Sequence, residues 1–213
     1  MFVGGIVYKF CVSGPAVSGK TFCIKNHLDK NLDLVTVDES SRKVYSMYPE
    51  LPSSDIRKFR EKICEHQRHL EVIVDNLISS DDVIVCDRGV FDNLAFLLLY
   101  DEEMFHKELE IALGMYKDGL IKLYDKILYF DVDLIGVDSQ IFSTAFEDPL
   151  RKFTIDVDNY AKHVLDFKNA FANTIGCFRH VLDIEMVTFT AKPTEQDFDL
   201  RNKQVLDYIM NSI

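Results

Sequence analysis

A glycine-rich stretch, Val12-Ser13-Gly14-Pro15-Ala16-Val17-Ser18-Gly19-Lys20-Thr21, follows directly after the apolar run 6–12. It fits the pattern G-x-x-x-x-G-K-[ST], whose glycines let backbone N–H groups converge on a phosphate. In that pattern Lys20 reaches the β- and γ-phosphates of a nucleoside triphosphate, and the Thr21 hydroxyl binds the Mg²⁺ that bridges them. The sequence therefore predicts a phosphate loop for ATP and Mg²⁺ that consists of Gly14, Ala16, Val17, Ser18, Gly19, Lys20 and Thr21.

Charged side chains also follow the next two predicted strands. Asp38-Glu39 comes after the run 34–37, and Asp87-Arg88-Gly89 comes after the run 83–86. Because the carboxyl ends of parallel strands share one edge of a sheet, we expect these side chains to meet the phosphate loop. Asp87 fits a carboxylate ligand of Mg²⁺, with helix capping as the alternative. Glu39 is predicted to act in catalysis or to cap the next helix, and Arg88 to hold an acceptor or to form a salt bridge.

Three further charged residues are candidates for the acceptor side of the site. Arg68 lies on the basic face of a long predicted helix, most of which we interpret as a solvated surface. Asp92 is expected either to face the substrate or to cap its own helix. Residues 136–153 lack helical or strand periodicity and predict a lid, in which Arg151 could stabilise phosphoryl-transfer charge or lie on the surface.

The elements that must position these residues alternate between strands and helices. Strands are predicted at 6–12, 34–37, 83–86, 127–130 and 178–183, and helices at 19–28, 53–77, 90–100, 103–122, 155–172 and 194–210. This order predicts an α/β three-layer P-loop NTPase fold, with an about five-stranded parallel sheet and helices on both faces. We interpret residues 1–213 as a single domain, with acceptor-binding helices within 40–79.

Composition limits the classes of function. The 213 residues carry a formal net charge of −11, which argues against broad, sequence-independent nucleic-acid binding. Five cysteines without a C-x-x-C pair predict reduced core thiols and a cytoplasmic protein. The apolar runs are too short for a membrane span, and the first residues are expected to form a buried strand rather than a signal peptide.

The other motifs favour a kinase among P-loop proteins. Asp87-Arg88-Gly89 has its glycine at the wrong offset for the D-x-x-G of GTPases, and no N-K-x-D motif for guanine occurs. Four segments instead carry a resemblance: Gly14 to Thr21, Glu39-Ser40-Ser41-Arg42, His66-Gln67-Arg68, and Asp87-Arg88-Gly89-Val90-Phe91-Asp92-Asn93-Leu94-Ala95. Together they resemble the NadR-like, ribosylnicotinamide-kinase-type family and, more distantly, deoxynucleoside kinases and thymidylate kinase.

The resemblance implies ATP- and Mg²⁺-dependent phosphoryl transfer to a hydroxyl of a nucleoside- or nucleotide-like small molecule. Glu39 or Asp87 would take the hydroxyl proton, while Arg42 and Arg88 would hold the acceptor. Two alternatives stay open: a kinase acting on a modified base or an end within DNA or RNA, and a non-catalytic nucleotide-binding switch. A homodimer is expected by analogy.

Overall fold

The computed structural model describes residues 8–77, 82–134, 159–179 and 182–213. Its sheet consists of β1 (Tyr8–Ser13), β2 (Leu34–Val37), β3 (Val83–Asp87), β4 (Lys126–Val132) and β5 (Met186–Ala191). All neighbouring pairs are parallel, in the order β2-β3-β1-β4-β5. This confirms the predicted five-stranded parallel sheet, and it places the phosphate loop, which follows β1, at the middle of the sheet edge.

Alternation along β1 assigns its side chains to two cores, one on each face of the sheet. Phe10 and Val12 belong to one core, which also contains Leu28 and Val205, whereas Cys11 belongs to the other core. Since successive side chains of a strand point to opposite faces, a strand covered on both sides is apolar almost throughout. Lys9 is the exception within β1, because it is charged and yet buried.

Helices cover both faces of this sheet. After the phosphate loop, α1 (Lys20–Cys23), a π-helical turn (Ile24–Leu28) and α2 (Asp29–Asn31) form one continuous helical segment. This segment and the last helix contribute to the core that contains Phe10. The remaining helices are α3 (Ser40–Met47), α4 (Leu51–Ser54), α5 (Ile56–Leu77), α6 (Val90–Tyr100), α7 (Glu102–Lys117), α8 (Tyr160–Phe178) and α9 (Glu195–Met210).

The largest correction concerns the fifth strand. The segment 178–183 is predicted to be a strand, but α8 continues to Phe178 and β5 begins only at Met186. Phe167, Phe171, Ile175 and Phe178 are all buried at helical spacing, so the helix keeps a continuous apolar face up to its last residue. The predicted helix 103–122 is also shorter and ends at Lys117.

Some apolar side chains on helices are exposed. Leu77, at the last residue of α5, is 79% exposed, and Phe22, in α1, is 51% exposed. The cysteine prediction holds for Cys11, Cys23, Cys64 and Cys86, which are buried and free, whereas Cys177 is free but exposed. Among the described helices, none combines the length and the apolarity that a bilayer crossing requires. The predicted lid 136–153, with Arg151, lies outside the described residues.

Candidate active site

The phosphate loop adopts the conformation that its glycines allow. Gly14 and Gly19 have φ angles of 138° and 83°, in the region that favours glycine, and Val17 also has a positive φ. A Cβ at Gly14 would lie 2.4 Å from the carbonyl oxygen of Phe130 on β4. The loop therefore packs against the neighbouring strand as closely as a backbone without a side chain permits.

Lys20 folds back over this loop. Its Nζ donates hydrogen bonds to the carbonyl oxygens of Gly14 (3.0 Å) and Pro15 (2.6 Å) and to Ser18 Oγ (3.0 Å). Burial, reinforced by the nearby charge of Arg88, lowers the pKa of Lys20 to about 7. Among the described residues no carboxylate forms an ion pair with this ammonium, and a phosphate would supply that anionic partner, so the loop is suited to bind a polyphosphate.

Thr21 and Asp87 meet at the edge of the sheet. The Thr21 hydroxyl donates to Asp87 Oδ2 at 2.5 Å, while Asp87 Oδ1 is buried and has no hydrogen-bond partner among the described residues. Burial and the charge of Glu39 raise the pKa of Asp87 above its ordinary value. A hydroxyl and a carboxylate with an unsatisfied oxygen are the hard oxygen ligands that Mg²⁺ takes in such sites, so these residues fit the ion.

Arg88 joins three parts of the site. Its Nε donates to Glu39 Oε1 (3.1 Å), and its Nη1 donates to the Gly14 carbonyl (3.0 Å) and to Asp92 Oδ1 (3.1 Å). The residue has a φ of 70°, unusual for a side chain of this size. Its guanidinium lies over the ring of Phe96. Burial opposes its charge, yet Glu39 and Asp92 raise the pKa of Arg88 above its ordinary value.

Glu39 is held as a carboxylate. Burial would raise its pKa, but Arg88, a hydrogen bond from Ser41 Oγ (2.8 Å to Oε1) and nearby Lys20 lower it below the ordinary value. Arg42 Nε also donates to Glu39 Oε2 at 3.2 Å. The side chain caps no helix N–H, although the residue stands at the N-terminal boundary of α3. This carboxylate is therefore ionised at neutral pH and faces the cavity described next.

A cavity of about 330 Å³ opens between the phosphate loop, α3, α5 and α6. Its walls are mostly apolar and include Ile56, Phe59, Phe96 and Tyr100. The polar groups at its edges are Lys20, Thr21, Glu39, Ser41, Arg42, Arg60, Gln67, Arg88 and Asn93. An apolar pocket with a few convergent polar groups is typical of small-molecule sites, and this one reaches the loop where a phosphate would lie.

Two predicted substrate ligands lie elsewhere. Arg68 forms an ion pair with Glu108 of α7 and is not part of the cavity wall. Asp92 is fully buried, accepts a hydrogen bond from Gly89 N at 3.1 Å, and so caps the start of α6 as the alternative prediction has it. Its pKa is raised by burial and lowered in part by Arg88. Arg42 borders the cavity, so the structure brings Lys20, Thr21, Glu39, Arg42, Asp87 and Arg88 together.

Gln67 and Asn93 are wall residues that the sequence did not single out. Both occur within the quoted segments, but their pattern of neighbours shows no feature that marks them as functional. Gln67 lies one helical turn from Cys64, which is buried. This helical spacing is the one sequence feature that places Gln67 on the inward face of α5.

A known protein family matches most of this chain. The family model described as an AAA domain (AAA_28) matches residues 9–163, which is well over half of the chain. The chain belongs to this AAA-domain family. A comparison with curated protein sequences gave no match.

The fold of this AAA-domain protein is that of nucleoside and nucleotide kinases. Deoxyadenosine kinase from M. mycoides with products dCMP and a flexible dCDP bound superposes with a TM-score of 0.62, at 14% identity, over 96% of this chain and 100% of that chain. The same enzyme with bound dATP gives a TM-score of 0.55 over 96% and 98%, again at 14% identity. Thymidylate kinase from Candida albicans gives 0.53, at 14% identity, over 98% and 92%. The narrower NadR-like relationship stays a prediction.

Proposed function

We propose that this protein is an ATP- and Mg²⁺-dependent kinase that transfers the γ-phosphoryl group to a hydroxyl of a nucleoside-like small molecule. The observation that carries the proposal is the position of Glu39. Its carboxylate borders the cavity together with Lys20 and Thr21 of the phosphate loop, so an acceptor in the cavity lies between a proton acceptor and the phosphate site. A hydroxyl needs such a base, and Glu39 is ionised where it stands.

In the proposed reaction the acceptor oxygen forms a bond to the γ-phosphorus while the bond from that phosphorus to the bridging oxygen breaks, which releases ADP. Glu39 accepts the hydroxyl proton and returns it to solvent. We assign the base to Glu39 rather than to Asp87, because Asp87 is engaged with Thr21 and does not border the cavity. Arg88 orients the Glu39 carboxylate, and it also contacts the phosphate loop.

Thr21 and Asp87 are the residues that would hold Mg²⁺. The ion would neutralise charge on the phosphates during transfer. Lys20 would exchange its bonds to the loop carbonyls for bonds to the phosphates. The same proposal includes four predictions made from the sequence: a single domain over residues 1–213, a lid with Arg151, a homodimer and a cytoplasmic location.

A nucleic-acid acceptor is disfavoured by the charges of α5. Three of the five Lys and Arg side chains of α5 are paired with acids of the protein itself: Arg57 with Asp101 and Glu103, Lys62 with Glu65, and Arg68 with Glu108. A fourth, Arg60, lies over the ring of Tyr100. Binding of a nucleic acid relies on cationic surface that can release counterions from the phosphates. The cavity, with its apolar walls, suits one base and sugar better than a strand.

The test is formation of ADP from ATP and Mg²⁺ with ribo- and deoxynucleosides, their monophosphates and short oligonucleotides, each supplied singly. We expect ADP to form only with an acceptor, and a nucleoside to be phosphorylated. The Glu39→Gln variant should lose about 100-fold in turnover while it keeps its affinity for ATP, since the amide can still accept a hydrogen bond from Arg88 but not a proton. Hydrolysis that no acceptor stimulates would instead support the nucleotide-binding switch and overturn the kinase.

A further inference from the structure

A buried chain of polar side chains begins at the cavity wall. Gln67 of α5 borders the cavity, and its carboxamide is bonded on both sides. Ser40 Oγ donates to Gln67 Oε1 at 2.7 Å, and Gln67 Nε2 donates to Glu71 Oε1 at 3.0 Å, one helical turn further along α5. A carboxamide whose oxygen and nitrogen are both hydrogen-bonded has a defined orientation. The cavity wall therefore presents the oxygen and the NH₂ group of Gln67 at defined positions.

Glu71 sets that orientation together with the backbone carbonyl of Arg88, which lies 3.5 Å from Gln67 Nε2. Both groups accept hydrogen bonds here, so the end of Gln67 that faces them is its NH₂ and not its carbonyl. Glu71 is fully buried, where its bond to Gln67 cannot be exchanged for one to solvent. The carbonyl of Gln67 is thereby directed toward Ser40 at the start of α3.

The same oxygen of Glu71 also fixes the turn that carries Arg88. Tyr124 donates its hydroxyl to Glu71 Oε1 at 2.5 Å and accepts a hydrogen bond from Val90 N at 3.0 Å. That hydroxyl lies 2.3 Å from the position that a Cβ of Gly89 would occupy, so the turn approaches it without room for a side chain. One carboxylate oxygen therefore contacts Gln67 directly and is linked to the Arg88 turn through Tyr124.

Lys9 pairs with this carboxylate. Its Nζ lies 3.1 Å from Glu71 Oε2 and donates to Asp75 Oδ2 at 2.9 Å. Burial opposes the ammonium, but the charges of Glu71 and Asp75 raise the pKa of Lys9 above its ordinary value. Asp75 touches neither Gln67 nor Tyr124; its Oδ2 instead accepts from Lys122 N at 2.7 Å. Glu71 and Asp75 thus share one cation but differ in their contact with the cavity wall.

We propose that Glu71 is a positioning residue of the acceptor site, which sets the carboxamide of Gln67 and the Arg88 turn from beneath the cavity. This rests on the proposed function only in that an acceptor occupies the cavity. Glu71 does not touch the acceptor; it determines which edge of Gln67 the acceptor meets. Some phosphoryl acceptors differ in only one hydrogen-bond donor or acceptor group. Discrimination between them therefore depends on Glu71.

The first experiment needs no acceptor. The side-chain amide of Gln67 is followed by ¹H–¹⁵N NMR in the wild type and in Glu71→Gln and Asp75→Asn, with Gln67→Glu to identify its signals. We expect Asp75→Asn to leave both proton shifts in place, and Glu71→Gln to move them or to give two sets of signals, because a carboxamide at residue 71 can bond to either end of Gln67. Unchanged Gln67 signals in Glu71→Gln would overturn the proposal.

The second experiment measures specificity with matched acceptors. Adenosine and inosine, or cytidine and uridine, exchange an amino donor for a keto acceptor at one position. We expect Glu71→Gln to raise the KM of the preferred member of each pair by about tenfold or more and to narrow the preference, with the KM for ATP within twofold of the wild type. Asp75→Asn should keep the wild-type preference. If Glu71→Gln and Asp75→Asn raised the KM and narrowed the preference equally, or if only kcat fell, Glu71 would be a structural ion-pair partner in the core and the proposal would be overturned.

Loss of folding is controlled by a triple variant. Lys9→Met/Glu71→Gln/Asp75→Asn removes all three charges of the buried cluster, so neither an ammonium nor a carboxylate is left without its partner. It should show the same disturbed Gln67 signals and the same narrowed preference as Glu71→Gln. If the wild type phosphorylates no nucleoside, the proposed function fails, whereas the amide experiment still decides the role of Glu71.

Discussion

The two halves of the candidate site differ in how their polar groups are satisfied. On the phosphate-loop side, Lys20 is bonded only to carbonyls and a hydroxyl of its own loop, and Asp87 Oδ1 lacks a partner among the described residues. On the acceptor side, Glu39, Arg88 and Gln67 are each held by other residues. The first half is incomplete without a ligand, and the second is assembled in advance.

This difference separates binding from stability. A buried group without a protein counterion lowers the free energy of unfolding, and its removal relieves that cost. A buried group with several protein partners does the opposite, because its removal leaves those partners unsatisfied. Variants of the phosphate-loop half should therefore lose activity at unchanged stability, and variants of the acceptor half should lose both.

Lys20→Ala offers the largest effect. We expect turnover of ATP to fall by about 100-fold or more, since one preorganised charge on the transferred phosphate is lost. The melting temperature without nucleotide should stay the same or rise, because burial disfavours the Lys20 charge. Steady-state kinetics and thermal unfolding of one preparation measure both. If the melting temperature of Lys20→Ala were several degrees lower than that of the wild type, Lys20 would stabilise the fold, and the phosphate-loop half would not depend on a ligand for its missing partners.

Arg88→Met tests the other half. It removes the shared partner of Glu39, Asp92 and the Gly14 carbonyl, and leaves two carboxylates in a buried site. We expect activity to be lost together with about 3 kcal/mol of unfolding free energy, measured by urea denaturation. Arg42→Met is the matched control, because this guanidinium also pairs with Glu39 but is about half exposed. If both variants were equally stable, preassembly of the acceptor half would be refuted.

Asp87→Asn sharpens the assignment of the ion. The amide keeps an oxygen for the Thr21 hydroxyl but loses the charge, so we expect turnover to fall about tenfold and the Mg²⁺ concentration at half-maximal rate to rise. Titration of the rate with Mg²⁺ at saturating ATP measures this. A dependence identical to that of the wild type would make Asp87 a structural partner of Thr21.

His163 affects stability only at acid pH. Burial, followed by the charge of Arg88, lowers the pKa of His163 to about 4, so between pH 6.5 and 4 the unfolded chain binds a proton that the folded chain does not. This residue therefore makes stability fall as the pH falls through that window, by at most about 1.4 kcal/mol per pH unit. His163→Phe should remove that part of the slope in urea titrations and leave neutral pH unchanged; parallel curves would contradict the assignment.

Local motifs predicted the phosphate-loop half well. Gly14, Lys20, Thr21 and Asp87 are placed by spacing and by strand ends alone, because the sheet geometry brings those ends together. The parallel sheet was predicted correctly, but its last strand was misplaced, since Phe178 fits the last position of an apolar helix face as well as the first position of a strand.

The acceptor half was predicted in part. Glu39 and Arg88 follow from their positions after strands, but the partners of Arg68 and Asp92 depend on how α5, α6 and α7 pack, which no local pattern contains. Lys9 did carry a signal. A single cation inside an apolar strand requires buried counterions, and polar residues at positions 67, 71 and 75 repeat at the period of a helix face.

The position of β1 in the middle of the sheet also bears on how the protein folds. Tyr8 pairs in register with Val83 on one side, and Phe10 with Lys126 on the other, so both partners of this strand are distant in the chain. Closing such loops costs conformational entropy before the contacts that stabilise the sheet can form. Folding rates therefore fall as contacts become less local. We therefore expect the strand that ends in the phosphate loop to acquire its neighbours late in folding, so that formation of the loop would report completion of the sheet.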